Sequence, residues 1–108
     1  MNYAEYLLSK VGEEGGEAGK AANKLAVFGR FSTNPENGLT NEQELIKEIH
    51  DFFAAVEMLH ENGIIDFKYD PALVIAKKEK VIYHAKKTGI LAGEFTPATR
   101  EGFLDGTM

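Results

Sequence analysis

Apolar residues recur along this chain with a helical period in three stretches, and strand-like alternation is nearly absent. Tyr3, Leu7 and Val11 fall at i, i+4 and i+8, and Ala18, Ala22, Leu25 and Phe28 continue a similar stripe. This spacing predicts a first helix from about Asn2 to Phe28. Gly12, Gly15, Gly16 and Gly19 interrupt it. A glycine inside a helix costs roughly 0.5–1 kcal/mol relative to alanine. Four of them imply either a break or compensation by the close approach of another backbone or a ligand. The second is favoured, with allowance for a kink. Leu45, Ile49, Phe52, Val56 and Leu59 form the stripe of a second helix, from about Asn41 to Glu61. Thr40 or Asn41 can cap it, with Glu42 and Glu44 near its positive end. Asn62-Gly63 is its stop signal. Asp70-Pro71 opens a third helix, Asp as cap and Pro in the first turn, and Gly89 ends it after about Lys87. Leu73, Ala76, Val81 and Ala85 give it a weaker stripe.

Between these stretches, residues 29–40 read as a loop by composition. The residues from Gly93 on have no clear period and are expected to be irregular, or ordered only against a neighbour. The expected fold is therefore all-α: a helical bundle of two long helices and a shorter third, in one domain over residues 1–108. A chain of 108 residues buries only a modest core, so assembly into a homodimer or homotetramer is expected.

Composition narrows the partners. With 44% hydrophobic and 27% charged residues the chain is globular rather than disordered. A net charge of −5 argues against nucleic acid as the main partner, because the phosphate backbone attracts clustered Lys and Arg. No apolar run approaches the ~20 residues of a membrane helix, and the first residues lack the pattern of a secretory leader. The absence of cysteine excludes disulfides, zinc–thiolate sites and a cysteine nucleophile, and fits a cytoplasmic protein.

Two acidic patterns carry the candidate chemistry: Glu13-Glu14-Gly15-Gly16-Glu17, and Glu48-Ile49-His50-Asp51. Glu14 and Glu17, like Glu48 and Asp51, stand at i and i+3 on one helix face, with Cβ atoms roughly 5–6 Å apart. Each pair borders a core stripe, where carboxylates are costly unless paired or bound to a cation. Two such pairs on facing helices would make a pocket of four carboxylates. Oxygen-only donor sets suit the hard cations Mg²⁺ and Mn²⁺. Acidic i,i+3 pairs also occur on ordinary solvated faces. In that case the chain is a non-enzymatic helical interaction or dimerisation module, and its glycines form a groove for a partner helix. Gly12 to Lys20 fails the phosphate-loop pattern: Glu14 stands where a Gly is needed, and Ala21 follows the Lys. His50, His60 and His84 share no ligand spacing and read as surface or packing residues. Phe28 or Phe31 is a candidate for stacking on a nucleobase.

The run Leu8-Ser9-Lys10-Val11-Gly12-Glu13-Glu14-Gly15-Gly16-Glu17-Ala18, followed by Glu48-Ile49-His50-Asp51-Phe52-Phe53, resembles the MazG-like all-α nucleoside triphosphate pyrophosphohydrolases. Their signature is Glu-Glu-x-x-Glu, then Glu-x-x-Asp on a later helix. The resemblance covers about residues 5–60 and extends loosely to Lys87. It implies Mg²⁺, or Mn²⁺, held by Glu14, Glu17, Glu48 and Asp51. Glu14 would also act catalytically, with Glu13 as a supporting acid. The implied reaction attacks the α-phosphorus of a nucleoside triphosphate, giving a monophosphate and pyrophosphate. A dUTP or phosphoribosyl-ATP hydrolase is the related alternative. Lys80, then Lys77 and His84, match the basic third helix of that family and would bind substrate phosphates; the other reading is a solvated basic face. Arg30 and Arg100 are further candidate contacts with no motif behind them.

Overall fold

The computed structural model describes residues 1–90, which hold three α-helices and no strand: α1 (Tyr3–Phe28), α2 (Asn41–Glu61) and α3 (Pro71–Lys87). The all-α expectation is met, and the helix boundaries fall within a residue of those read from the sequence. The irregular segment expected from Gly93, and Arg100 with it, lie outside the described residues. No helix among the described residues is long and apolar enough to cross a membrane. The chain divides into two compact units, Met1–Phe67 and a second that begins at Lys68.

In the first unit, α1 starts where the Asn2 side chain accepts the Glu5 backbone N–H at 2.8 Å. It then runs unbroken through all four glycines. Of the expected close approach by another backbone or a ligand, the described residues supply no backbone. Among the described residues, a Cβ built at Gly12, Gly16 or Gly19 meets nothing within 4 Å, and one at Gly15 meets the Phe52 ring, at 3.6 Å. Helix α1 ends at Gly29, whose φ of 92° lies in the left-handed region that glycine adopts without strain.

Thr40, not Asn41, caps α2. Its hydroxyl accepts the Gln43 N–H at 3.1 Å, and the Gln43 side chain accepts the Thr40 N–H at 2.9 Å, forming a reciprocal capping box. Asn41 is buried and does something else. Its amide donates to the Gly29 carbonyl at 2.9 Å and ties the start of α2 to the end of α1. The loop between is ordered by similar local bonds. The Asn34 N–H donates to the Leu39 carbonyl at 2.9 Å, and Thr33 and Thr40 form an isolated antiparallel bridge. The Arg30 guanidinium pairs with Glu42. At the far end of α2 the Ile64 N–H reaches back to the Leu59 carbonyl and the Gly63 N–H to that of His60, with Gly63 at φ 70°. This is the double-bonded stop that the Asn62-Gly63 pair predicts.

Helices α1 and α2 pack antiparallel along two seams. In α1 the seam is Leu7, Val11, Glu14, Ala18, Ala21, Leu25; in α2 it is Asn41, Leu45, Glu48, Phe52, Ala55, Leu59. All twelve are buried or half-buried, and both series step by four and three residues, the spacing that keeps a narrow stripe facing a partner helix. The stripe expected from the sequence was set slightly differently. Tyr3 (57% exposed), Phe28 (61%), Ile49 (40%) and Ala22 face solvent, and Ala21 takes the inward place. Among the described apolar residues only Leu7, Ala21, Ala55 and Leu59 are buried.

In the second unit, Asp70 caps α3 by accepting the Ala72 N–H at 2.9 Å, with Pro71 at the first helical position. Gly89 (φ 86°) and Ile90 close it with bonds to Lys86 and Ala85. No residue of α3 is buried. Of its expected stripe only Ala85 is half-buried, while Leu73 and Val81 are exposed.

Candidate metal centre

The third place of each seam is a glutamate, Glu14 in α1 and Glu48 in α2. Seam positions ordinarily take apolar side chains, so a carboxylate there loses hydration without gaining packing. Asp51, one turn beyond Glu48, joins the same spot. Glu14, Glu48 and Asp51 each offer an oxygen, and these oxygens lie within 4.8 Å of one another. All three residues are half-buried. Three anions so close repel unless a cation lies among them.

A lysine supplies part of that charge. Lys47 Nζ donates to Asp51 Oδ2 at 2.8 Å and lies 3.6 Å from Glu48 Oε1. The hydrogen bond to Asp51, helped by the charges of Asp51 and Glu48, holds the ammonium above its usual range. The sequence reading passed over Lys47. The signal was present, since Lys47 and Asp51 stand at i and i+4, where side chains on a helix meet.

Of the four carboxylates expected as ligands, three therefore converge and one does not. Glu17 is exposed and outside the cluster, although it borders a cavity with Glu48. Glu13 is also exposed, and its carboxylate accepts from Lys10 Nζ at 3.1 Å within α1. His50 turns away to the Ile46 carbonyl at 2.7 Å. Lys77, Lys80 and His84 are exposed residues of α3, in the second unit. Phe28 and Phe31 are both exposed, and the Arg30 guanidinium lies over the Phe31 ring at 4.8 Å.

Two cavities of the first unit open on the acidic cluster. One, of about 170 Å³, is lined by Lys20, Lys24, Lys47, Asn37, Glu44 and Glu48 among others. Glu44 accepts the side-chain amides of Asn37 at 2.9 Å and Asn34 at 3.0 Å, which hold its carboxyl below the usual carboxylate range. The other, of about 440 Å³, is lined by Tyr3, Tyr6, Lys10, Glu14, Asp51 and Met58 among others.

The donor set fits a hard divalent cation. It is all oxygen, it carries three negative charges, and it draws on two helices whose packing fixes their separation. No protein-family model matches the chain, and neither a curated protein nor a solved structure does.

Proposed function

We propose that this protein is a Mg²⁺-dependent nucleoside triphosphate pyrophosphohydrolase of the MazG-like kind, converting a (deoxy)nucleoside triphosphate to the monophosphate and pyrophosphate. The observation that carries the reading is the convergence of Glu14, Glu48 and Asp51 from two helices, two of them at seam positions. A protein with no use for a cation gains stability by putting apolar residues there. Mg²⁺, or Mn²⁺ in its stead, would offset phosphate charge at the α-phosphorus. Glu14, Glu48 and Asp51 would hold it, and Glu17, one turn along α1, would swing in as a fourth ligand. Glu14 is the better supported of the two catalytic acids. It lies within the cluster, ready to take a proton from the attacking water, whereas Glu13 is occupied by Lys10 at the surface. Lys77, Lys80 and His84 stay proposed as phosphate contacts on the family resemblance alone.

The proposal extends to assembly and location. Four buried apolar side chains are a small core for paired helices of 26 and 21 residues. Tyr6, Leu8, Ile46, Ile49 and Phe53 remain 40–57% exposed on them. A homodimer, or a tetramer built from two dimers, would cover part of this surface. Action in the cytoplasm fits the cysteine-free chain.

One observation favours the rival reading, a non-enzymatic helical interaction module: Lys47 already bridges Glu48 and Asp51 as an internal counter-ion. Pyrophosphate release across the common NTPs and dNTPs, dUTP included, and phosphoribosyl-ATP separates the two. The enzyme releases pyrophosphate only with Mg²⁺ or Mn²⁺, and Glu48→Gln abolishes release while circular dichroism stays unchanged. Mg²⁺ should also raise the melting temperature, through a stabilisation of about 2.7 kcal/mol at a hundredfold excess over Kd. No release and no shift would leave the module as the answer. The substrate that turns over fastest identifies the class of triphosphate.

A further inference from the structure

The acidic cluster sits midway along the α1–α2 hairpin, and the two cavities that meet there differ in chemistry. Toward the loop end lies the polar one. Its lysines come from both helices: Lys20 and Lys24 from α1, Lys47 from α2. Neither Lys20 nor Lys24 makes a salt bridge among the described residues. Glu44, in the same cavity, takes its hydrogen bonds from Asn34 and Asn37 instead. Toward the other end lies the larger, more apolar cavity. Tyr3 and Tyr6 stack there with ring centroids 6.4 Å apart, and Met58 faces them from α2. Glu48 borders the first cavity, and Glu14 and Asp51 border the second.

We infer that these cavities fix the direction in which the substrate lies, with the polyphosphate tail on Lys20, Lys24 and Lys47 and the nucleoside in the tyrosine-lined cavity. This rests on the reading of the cluster as a metal centre for attack at the α-phosphorus. Such attack breaks the bond between the α-phosphorus and the oxygen bridging to the β-phosphorus; water supplies the incoming oxygen, and pyrophosphate leaves. The metal must then sit between a nucleoside end and a pyrophosphate end, and the molecule offers a different environment on each side. Lys20 and Lys24 follow Glu14 by six and ten residues, about 9 and 15 Å along the helix axis. Helical side chains lean toward the helix N-terminus, which is the direction of the cluster from both lysines. A cation arriving at Asp51 would displace Lys47 from it and free that ammonium for the phosphates. The Tyr6 ring, with Tyr3 stacked beside it and Lys10 Nζ 5.3 Å from its centroid, supplies aromatic surface of the kind on which nucleobases stack whatever their identity.

Calorimetric titration of the full chain with three probes tests this: Mg²⁺ alone, inorganic triphosphate with Mg²⁺, and an α,β-methylene nucleoside triphosphate with Mg²⁺. The variants are Lys20→Met with Lys24→Met, and Tyr6→Ala, with Tyr6→Leu as a milder change at the same exposed site. The lysine variant should bind Mg²⁺ alone as the wild type does and lose affinity for both phosphate probes, each by about tenfold or more. The tyrosine variants should keep inorganic triphosphate and lose about tenfold on the nucleotide analogue alone. Unchanged inorganic triphosphate binding in the lysine variant, or equal losses on both phosphate probes in the tyrosine variants, overturns the assigned direction and leaves the metal centre standing. Failure of the wild-type chain to bind Mg²⁺ at all overturns the metal centre, and this inference with it.

Discussion

The glycines of α1 give the sharpest test of how this hairpin is held together. Gly12, Gly16 and Gly19 lie in an unbroken helix, are exposed, and among the described residues have nothing within 4 Å of where a Cβ would stand. Each therefore carries the entropic cost of helical glycine with no visible compensation. Replacing one by alanine should gain about 0.5–1 kcal/mol, chiefly by restricting the unfolded chain. The three methyls meet no neighbour among the described residues, so their effects should add, to roughly 1.5–3 kcal/mol for the triple variant. For a domain of this size that raises the melting temperature by roughly 6–24 °C. Gly15 is a separate case. Its Cβ would stand 3.6 and 3.8 Å from two carbons of the Phe52 ring, ordinary van der Waals distances. Gly15→Ala should gain the same propensity and add a half-buried contact, making it the most stabilising single change of the four. Thermal and urea melts followed by far-UV circular dichroism, without ligand, measure the series. A triple variant no more stable than the wild type would refute the reasoning, because something in solution must then cover this face of α1. Repeating the melts across protein concentrations would show whether a second copy is what covers it.

Other outcomes follow from single contacts. Asn41→Leu strips the Gly29 carbonyl of the buried amide that satisfies it, and should cost about 1–3 kcal/mol in urea unfolding; a neutral result would mean that water replaces the bond. Glu44 has a folded-state pKa below its unfolded value, so its contribution is full above the ordinary carboxylate range and is lost as the pH falls through the folded value. Stability measured on descending pH should thus fall more steeply for the wild type than for Glu44→Gln, and hydrogen exchange in residues 29–40 should quicken in the same window. Lys47→Met removes the internal counter-ion from Asp51 and Glu48, and should tighten the binding of Mg²⁺ alone by a few-fold in calorimetry. Weaker Mg²⁺ binding in that variant would mean that the lysine supports the site rather than competing for it.

Much of the backbone was legible in order of residues alone, because helix boundaries are set locally. Thr40, Asp70-Pro71, Asn62-Gly63 and Gly89 act on donors and acceptors within a turn of themselves, so the sequence contains both partners of each bond. The two acidic motifs were legible for the same reason, as side chains one turn apart. Which side of each helix faces inward was not. A period of 3.6 residues lets neighbouring stripes compete, and Ala18-Ala22-Leu25 reads as well as Ala18-Ala21-Leu25 until a second helix selects one. Only packing α1 against α2 turned Tyr3, Phe28 and Ile49 outward, brought Ala21 in, and put Glu14 and Glu48 in the seam. The same rotation decided the candidate site. Glu14 and Glu17 are equivalent as an i,i+3 pair, but two helices share only a narrow line of contact. Glu14 lies on that line, while Glu17, three residues further round the helix, stands off it and is exposed. The sequence by itself determined that carboxylates border the core; the crossing of two surfaces determined which three of them meet.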